Sequence, residues 1–465
     1  MLRTVRGFAT LAFFIAICLP LPLFAQGGNT GQDTGDTTDT TTTNTTFVLD
    51  RNTIGGISID VHGVLGKTTT ARQKALKRLL TKSLAPIDGN LDQLTPVRKV
   101  SLKRLEALLA DAVAKNQPIP DEVKYLAGLQ RIQYIFVYPE ENDIVLAGPG
   151  EGWEINKQGI VVGKTTKMPV LLLDDLLVAL RTSEAARTVG ISCSIDPSEE
   201  GRRNMRDYLA QQQTFHRGIL QGIEEQLGPQ KITLTGVDTN SHLARVLVAA
   251  DYRMKSIAMK LERSPVKGLK SYLEMISSSS GNIMPRWWLA SNYEPIAKTE
   301  DGLAWEIRGL GVKALTEDEF ITADGQVQGT GQANPVAQKW ADTMTSKYEE
   351  LSKKEAVFGQ LRNVMDMCLV AALIDREGLL QQSKCSLTTM QNRRNNLVET
   401  GWASPKTVPT QSSFMKKGRN YIITASGGVQ IESWEAASNQ QVDAKVKESK
   451  KDAGYQKAEK EWWWN

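Results

Sequence analysis

Apolar residues recur at every third or fourth position in several stretches of the chain, which is the spacing of a helix with one buried face. The clearest stretch begins at Ser101, a suitable N-cap, and then places four leucines and one valine on the same face: Leu102, Leu105, Leu108, Leu109 and Val113. The same spacing predicts helices over 68–84, 168–181, 196–228 and 241–261, and a further helical segment that begins near Pro335.

Alternation of apolar and polar residues predicts strands between these helices. It is clearest in VGISCSI (189–195) and in KITLTGV (231–237). A β-hairpin is predicted from IQYIFVY and DIVLAG, joined by the turn PEEN at 139–142. Strands and turns are also predicted over 54–66, 286–296, 303–315 and 320–329. Strands that alternate with helices predict an α+β fold, with a mixed sheet covered by helices, an additional helical segment and disordered termini.

The start of the chain fits an export signal. Arg3 and Arg6 precede a short apolar run that ends at Ala25, and two prolines in the run disfavour a membrane-spanning helix. Residues 26–46 are rich in Thr, Asp and Gly, which predicts a flexible spacer. We therefore expect cleavage after Ala25, with an uncleaved anchor as the alternative, and a location in the periplasm, in the cell envelope or outside the cell.

The chain is long enough for two or three domains beyond the spacer. The predicted segments are a signal peptide (1–25), a disordered spacer (26–46), an N-terminal α/β segment (47–128), a central α+β domain (129–330), a helical segment (331–385) and a polar, mostly irregular C-terminal tail (386–465).

Two short stretches resemble each other. DVHGVLGKTT (60–69) and NKQGIVVGKTT (156–166) share a turn glycine, an apolar pair and the ending GKTT, which predicts a hairpin that the chain uses twice. The ending suggests a phosphate-binding loop, but that loop needs an earlier glycine where Val61 and Gln158 stand. We therefore expect no nucleotide.

Composition narrows the function classes. Hydrophobic residues make up 41% and charged residues 23%, as in ordinary globular proteins, and a net charge of +4 is too balanced to predict a nucleic-acid partner. The sequence lacks the G-x-S-x-G and H-E-x-x-H motifs and paired C-x-x-C motifs. Its histidines (His62, His216 and His242) do not have the spacing of metal ligands. We predict neither a metal site nor a cofactor.

The cysteines beyond the predicted signal peptide are Cys193, Cys368 and Cys385. An odd and sparse set argues against a disulfide framework, although Cys368 and Cys385 could pair in an oxidising compartment. Cys193 and Cys368 lie on apolar faces of a predicted strand and helix, so we expect both to pack in the core.

Residues 241–255 (SHLARVLVAADYRMK) bring together residue types that often serve in catalysis. On a helix, His242 and Asp251 are about 900° apart and face opposite sides, so they cannot form a catalytic pair there. The simplest interpretation of Asp251 is a half-buried carboxylate paired with Lys255 at i+4, or with an arginine from elsewhere. A group of four residues is expected to point to solvent or to a partner: His242, Arg245, Arg253 and Lys260.

Several blocks resemble an uncharacterised family of exported planctomycete proteins, catalogued only as a domain of unknown function. The blocks are GPGEGW (148–153), VLLLDDLLVALR (170–181), CSIDPSEEG (193–201) and SHLARVLVAADYRMK. The resemblance extends from about Gly55 to about Leu379. It implies an exported protein and no particular mechanism.

Two hypotheses follow. The first is a non-catalytic binding or scaffold protein of the cell envelope, whose partner is a protein or an envelope polymer. Tryptophan and arginine are enriched at binding hot spots, so the candidate binding residues are Arg286, Trp287, Trp288, Trp462, Trp463 and Trp464. Alternation along the strand would bury either Trp287 or Trp288. The three terminal tryptophans are harder to bury, and they could make peripheral membrane contact.

The second hypothesis is an envelope hydrolase whose site is assembled only in the fold. Its candidate catalytic residues lie at turns or helix starts beside apolar elements: His242, Arg253, Glu151 and Asp196. Convergence of two of these groups in a deep pocket would favour an enzyme. Separate placement would favour the binding protein.

Overall fold

The computed structural model describes residues 53–54, 57–60, 62–87, 89–212, 214, 216, 218–276, 285–317, 319–321, 327–329, 334–398, 402–417, 419–456 and 461–465. All of them belong to one compact unit, Val48–Asn465. The predicted boundaries at 128, 330 and 385 therefore lie within a single unit. The predicted signal peptide and spacer lie outside the described residues.

The elements agree closely with the periodicity of the sequence. The strands are β1 (Thr53–Ile54), β2 (Ile57–Ile59), β3 (Leu65–Lys67), β4 (Thr95–Ser101), β5 (Tyr134–Tyr138), β6 (Asp143–Gly150), β7 (Trp153–Ile155), β8 (Val161–Gly163), β9 (Ile191–Asp196), β10 (Gln230–Thr235), β11 (Arg286–Asn292), β12 (Ile296–Lys298), β13 (Ala304–Glu306), β14 (Gly311–Glu317), β15 (Glu319–Ile321), β16 (Val327–Gly329), β17 (Thr407–Val408), β18 (Ser413–Lys417), β19 (Arg419–Ile423), β20 (Ser426–Ile431), β21 (Gln440–Val442) and β22 (Trp463–Trp464).

The helices are α1 (Thr70–Ser83), α2 (Gly89–Asp92), α3 (Leu102–Lys115), α4 (Asp121–Lys124), α5 (Leu173–Val189), α6 (Glu199–Ala210), α7 (Gly218–Leu227), α8 (His242–Ala258), α9 (Tyr272–Met275), α10 (Pro335–Ser346), α11 (Tyr348–Lys354), α12 (Ala356–Arg376), α13 (Leu379–Ser383), α14 (Thr388–Gln391), α15 (Ser433–Ser438) and α16 (Lys445–Ala453). The predicted cap of α3 is confirmed, because the Ser101 hydroxyl accepts a hydrogen bond from the Arg104 amide. The single helix predicted over 196–228 is two helices, α6 and α7, with the polar run QQQT after the first.

Two large sheets organise the fold. One has the strand order β14-β11-β20-β9-β10-β17, and the other has the order β21-β12-β13-β5-β6-β4-β22. Within the first sheet β11 pairs parallel with β20, whereas its pairing with β14 is antiparallel. Mixed sheets together with helices confirm the predicted α+β class.

Long helices pack against these sheets and share their core. Helix α8 packs against β9 and β20, and α12 packs against both α5 and α8. Among the described residues, α12 has the length and hydropathy to cross a membrane, but its apolar stretch is entirely buried within the protein. This burial is what the central helix of a hydrophobic core shows.

The prediction of a mostly irregular C-terminal tail is wrong. Strand β20 lies inside the first sheet, between β11 and β9, and β22 pairs with β4 in the second. Glycines in β20 and polar residues around β22 hide the local alternation, and the partner strands are remote in sequence. The last eighty residues therefore complete both sheets.

The prediction of a hairpin used twice is confirmed. The side chain of Asp60 accepts hydrogen bonds from the amides of the second and fourth residues after it, and the side chain of Asn156 does the same. Gly63 and Gly159 follow at the same place with φ of 84° and 80°, a conformation that favours glycine. The echo in the sequence therefore encodes one turn, built twice between short strands.

Candidate functional site

Helix α8 is buried along nearly its whole length, with Arg253 as the exception. The prediction that His242 and Arg245 point to solvent or to a partner is therefore wrong. A helical wheel identifies an apolar face, but it cannot show that other elements cover the polar face. Here α5 and Trp402 cover it beside His242. Lys260, which follows the helix, is exposed as predicted.

The His242 ring is oriented by two neighbours. Its Nδ1 lies 2.9 Å from both carboxylate oxygens of Asp175 in the first turn of α5. The Trp402 ring meets it edge-on, with 5.5 Å between the ring centroids. A carboxylate at Nδ1 fixes the imidazole so that Nε2 faces away from it. This pair is not visible in the local sequence pattern, because its members are 67 residues apart.

Asp251 and Lys255 join α8 to the first sheet. Lys255 Nζ lies 2.8 Å from Asp251 Oδ2, which confirms the predicted i+4 pair, and it also donates to the carbonyls of Ile195 and Gly427 at 3.1 and 3.0 Å. Asp251 is fully buried, not half-buried as predicted. Burial raises the pKa of its carboxyl to about 6, although the Lys255 ammonium opposes that rise.

Asp196 and Arg286, which were predicted for different roles, meet at one end of the same sheet. Arg286 Nη2 lies 3.9 Å from Asp196 Oδ2, and Asp196 Oδ1 accepts a hydrogen bond from the Gly427 amide. The Arg286 guanidinium also lies over the Trp288 indole, 4.6 Å from its centroid, in cation–π geometry. The sheet thus brings Asp196, Arg286 and Trp288 into one cluster.

The two faces of this sheet differ in character. The face toward α8 carries buried apolar side chains, among them Trp287, Cys193 and Val429. Trp288 alternates onto the other face and is half-buried, so the prediction that one of the two tryptophans is buried is confirmed. The other face is partly exposed and carries polar side chains next to apolar ones.

The strand register aligns side chains across this second face. One row reads Leu315, Trp288, Gly428, Ser194 and Thr233. The next row reads Lys313, Ala290, Gln430, Ser192 and Thr235. We call these two rows, with Arg286 and Asp196 at their end, the open sheet face.

Gly428 makes room for the indole on the open sheet face. A Cβ built at Gly428 would lie 2.8 Å from Cζ3 of Trp288, so the Trp288 ring leans over strand β20. A larger residue there would push the ring away. The result is an aromatic platform with small hydroxyl side chains beside it and an ion pair at one end.

Glu151 has a structural role. It is buried, and it accepts hydrogen bonds from Gln130 Nε2 and from the amides of Thr165 and Thr166 at 2.7–2.9 Å. Burial alone would raise the pKa of Glu151, but these hydrogen bonds outweigh it and hold the pKa below its ordinary value. The amides of the GKTT turn therefore bind an anion of the protein itself.

Arg253 is also engaged within the protein. It pairs with Glu262 and, at 3.0 Å, with Glu355. Each of the four catalytic candidates thus has its own partners: His242 has Asp175, Arg253 has two glutamates, Glu151 has the GKTT turn, and Asp196 has Gly427 and Arg286. Asp196, Arg286 and Trp288 are predicted site residues that the fold brings together.

The terminal tryptophans are integrated in the second sheet. Trp462 and Trp464 are buried, against the expectation that they are hard to bury. Pairing of β22 with β4 covers them, and the Arg98 guanidinium lies over the Trp463 ring at 5.3 Å. Their burial leaves Trp463 as the partly exposed member of the three.

In the described part of the chain, Cys193, Cys368 and Cys385 are free and buried. Burial raises the pKa of the Cys368 thiol and of the Cys385 thiol to about 12, and that of Cys193 well above its ordinary value. Such thiols are poor nucleophiles. Among the residues that the structure describes, no group of three or more His, Cys, Asp or Glu could hold a metal ion.

Comparison with known proteins gives a match to a family model of unknown function. No curated protein and no solved structure matches the chain. The segment that matches the family model is narrower than the predicted resemblance, which extends from about Gly55 to about Leu379. This segment contains Asp196, strand β10 and the whole of α8. Residues 193–272 of this chain are similar to the family described as a protein of unknown function (DUF1598).

Proposed function

We propose that this is a non-catalytic binding protein, exported to the cell envelope, whose open sheet face holds an envelope polysaccharide. The observation that carries the proposal is the Trp288 indole, which leans over Gly428 beside Ser194 and the Arg286–Asp196 pair. Export is supported by the basic, apolar and then polar order of the first residues.

The chemistry of this face suits a sugar chain. The C–H groups of a pyranose ring pack against the face of an indole, whose π-system is electron-rich. The hydroxyls of the sugar can then exchange hydrogen bonds with Ser192, Ser194, Gln430 and Asp196, which offer donors and acceptors on the same plane. A flat face of this kind matches a long polymer better than it matches a small molecule, which calls for a concave pocket.

The hydrolase alternative receives less support. An acid–base mechanism needs groups within hydrogen-bonding reach of one reacting atom. Each of His242, Arg253 and Glu151 is instead engaged by a different neighbour. The terminal tryptophans take no part in the proposal, since two of them are buried.

Co-sedimentation with insoluble chitin, cellulose and peptidoglycan tests the proposal. We expect the wild type to bind at least one of them, and we expect Trp288→Ala to weaken that binding at least tenfold, as for an aromatic hot spot. The matched control is Val442→Ala, which removes an exposed apolar side chain, 64% accessible, from the other sheet. Equal binding by Trp288→Ala and the wild type, or binding to none of the three polymers, would refute the proposal.

A further inference from the structure

We propose that the N-terminal end of α8 is a binding site for a small carboxylate anion, centred on Arg245. This site is distinct from the open sheet face, because α8 packs against the opposite face of the first sheet, the one that carries Trp287, Cys193 and Val429. The inference therefore does not depend on polymer binding.

Arg245 is the central observation. Its side chain has 0% exposure, and none of its three guanidinium nitrogens has a hydrogen-bond partner among the described residues. A guanidinium is always a donor, so its missing partner must be an acceptor. An isolated buried charge is among the most costly groups a fold can contain, and buried charges are normally paired.

The indole of Trp402 adds a second unsatisfied donor at the same place. The Arg245 Cζ lies 5.9 Å from the Trp402 ring centroid, and Trp402 Nε1 is buried without a partner in the described part of the chain. An indole N–H can donate but cannot accept. The unsatisfied groups around Arg245 are therefore all donors, which is the complement of a carboxylate.

Asp175, the carboxylate of this cluster, already has His242 as its partner. Both oxygens of Asp175 lie 2.9 Å from His242 Nδ1, and His242 packs against the same Trp402 ring. Burial lowers the pKa of Arg245 to about 10, and the group stays charged at neutral pH. One additional negative charge would balance one guanidinium, which favours a singly charged carboxylate over a phosphate dianion.

The helix itself favours an anion at this end. Helix α8 has 17 residues, and its N-terminus directs backbone N–H groups and a partial positive charge outward. The N-cap Ser241 uses its hydroxyl to accept from the Ala244 amide, so the helix start is well ordered. Arg245 directly follows Ala244, in the first turn of α8.

A cavity of about 130 Å³ opens at Ser241, the N-cap of α8, four residues before Arg245; Arg245 and Trp402 are not among the residues that line it. Ser241, the chain neighbour of His242, lines it together with Arg181 and Arg393, whose positive charges would attract an anion. Asp238 also lines it, but its carboxylate accepts a hydrogen bond from the Asn240 amide within its own turn.

Thermal unfolding and calorimetry with sodium acetate and sodium lactate, at constant ionic strength against sodium chloride, test the site in the full chain. We expect the carboxylates to raise Tm and to bind the wild type, and Arg245→Met to bind them at least tenfold more weakly. Without ligand, Arg245→Met should be at least as stable as the wild type, because methionine needs no counter-charge.

Two further variants make the test specific. Trp402→Phe keeps the ring but removes the indole N–H, and it should weaken carboxylate binding several-fold. Trp288→Ala, on the open sheet face, should leave the carboxylate response unchanged. A response to inorganic phosphate alone would overturn the carboxylate assignment. The absence of any anion response, or the same response in Trp402→Phe and in the wild type, would overturn the site even if Arg245→Met failed to fold.

Discussion

The carboxylate of Asp251 and the ammonium of Lys255 form a fully internal ion pair, with 2.8 Å between Oδ2 and Nζ. Lys255 also donates to carbonyls of two neighbouring strands, β9 and β20, whereas Oδ1 of Asp251 has no partner among the described residues. The pair therefore connects α8 to the centre of the first sheet. Lys255 makes three hydrogen bonds within the protein, whereas one carboxylate oxygen of Asp251 has no partner in the described part of the chain.

Stability should depend on pH through Asp251. Its pKa in the folded protein, about 6, exceeds the ordinary value of 3.8 because the group is buried, so the folded state takes up a proton more readily than the unfolded state. The resulting stabilisation is fully present below about pH 4 and is lost as the pH rises to about 6. The difference between 3.8 and about 6 corresponds to about 3 kcal/mol.

Urea unfolding of Asp251→Asn between pH 4 and pH 7 measures this contribution. The variant should lose less stability than the wild type over that interval, since its amide does not titrate. Asp111→Asn, in an exposed pair with Lys115, should keep the wild-type profile. Parallel profiles of Asp251→Asn and the wild type would contradict the assignment.

Removal of Lys255 should be far more harmful than removal of a surface lysine. Lys255→Met leaves the Asp251 carboxylate buried without a counter-charge and two carbonyls without their donor, so we expect a loss of about 3–5 kcal/mol at neutral pH. Lys260→Met is the control, because that lysine pairs with Glu274 at the surface. Similar unfolding free energies for the two variants would show that the internal pair stabilises little.

Local patterns predicted most of the helices and strands. The apolar residues of strand β9 repeat every two residues, and those of helix α8 repeat every 3.6 residues. The short Asx turn was visible as a repeated sequence around Asp60 and Asn156. The i+4 pair of Asp251 and Lys255 was predictable for the same reason, because both members lie on one helix.

Features that depend on remote contacts could not be predicted. Asp175 meets His242 only after α5 packs on α8, and β20 reaches the middle of its sheet through a parallel pairing with β11. The burial of Arg245 has the same origin, since a helical wheel treats every polar residue as outward-facing. The candidate sites are thus products of tertiary packing, and only their residue types are visible in the sequence.

Gly428 should be intolerant of a side chain. A Cβ there would lie 1.8 Å from the Cys193 carbonyl oxygen and 2.8 Å from the Trp288 ring, so Gly428→Ala must displace β9, β20 or the indole. We expect a loss of about 1–3 kcal/mol in unfolding free energy, as for overpacked sites. Gly66→Ala is the matched strand control, because no atom lies within 4 Å of its Cβ position. Wild-type stability of Gly428→Ala would contradict the observed packing.

Glu151 should stabilise the protein as an anion. Hydrogen bonds from Thr166, Gln130 and Thr165 hold its pKa below the ordinary value of 4.5. This contribution is therefore present above about pH 4.5 and is lost as the pH falls through the lower pKa of the folded state. Glu151→Gln, which cannot offer a charged acceptor to the GKTT amides, should cost about 1–3 kcal/mol at pH 7.

The loss of unfolding free energy caused by Glu151→Gln should become smaller as the pH is lowered, because the wild-type carboxylate then becomes protonated. Chemical unfolding at pH 7 and at pH 3 provides the comparison. Glu154→Gln, in an exposed pair with Lys167, serves as control and should change little at either pH. A penalty for Glu151→Gln that is the same at both pH values would mean that shape, and not charge, is what the GKTT turn recognises in Glu151.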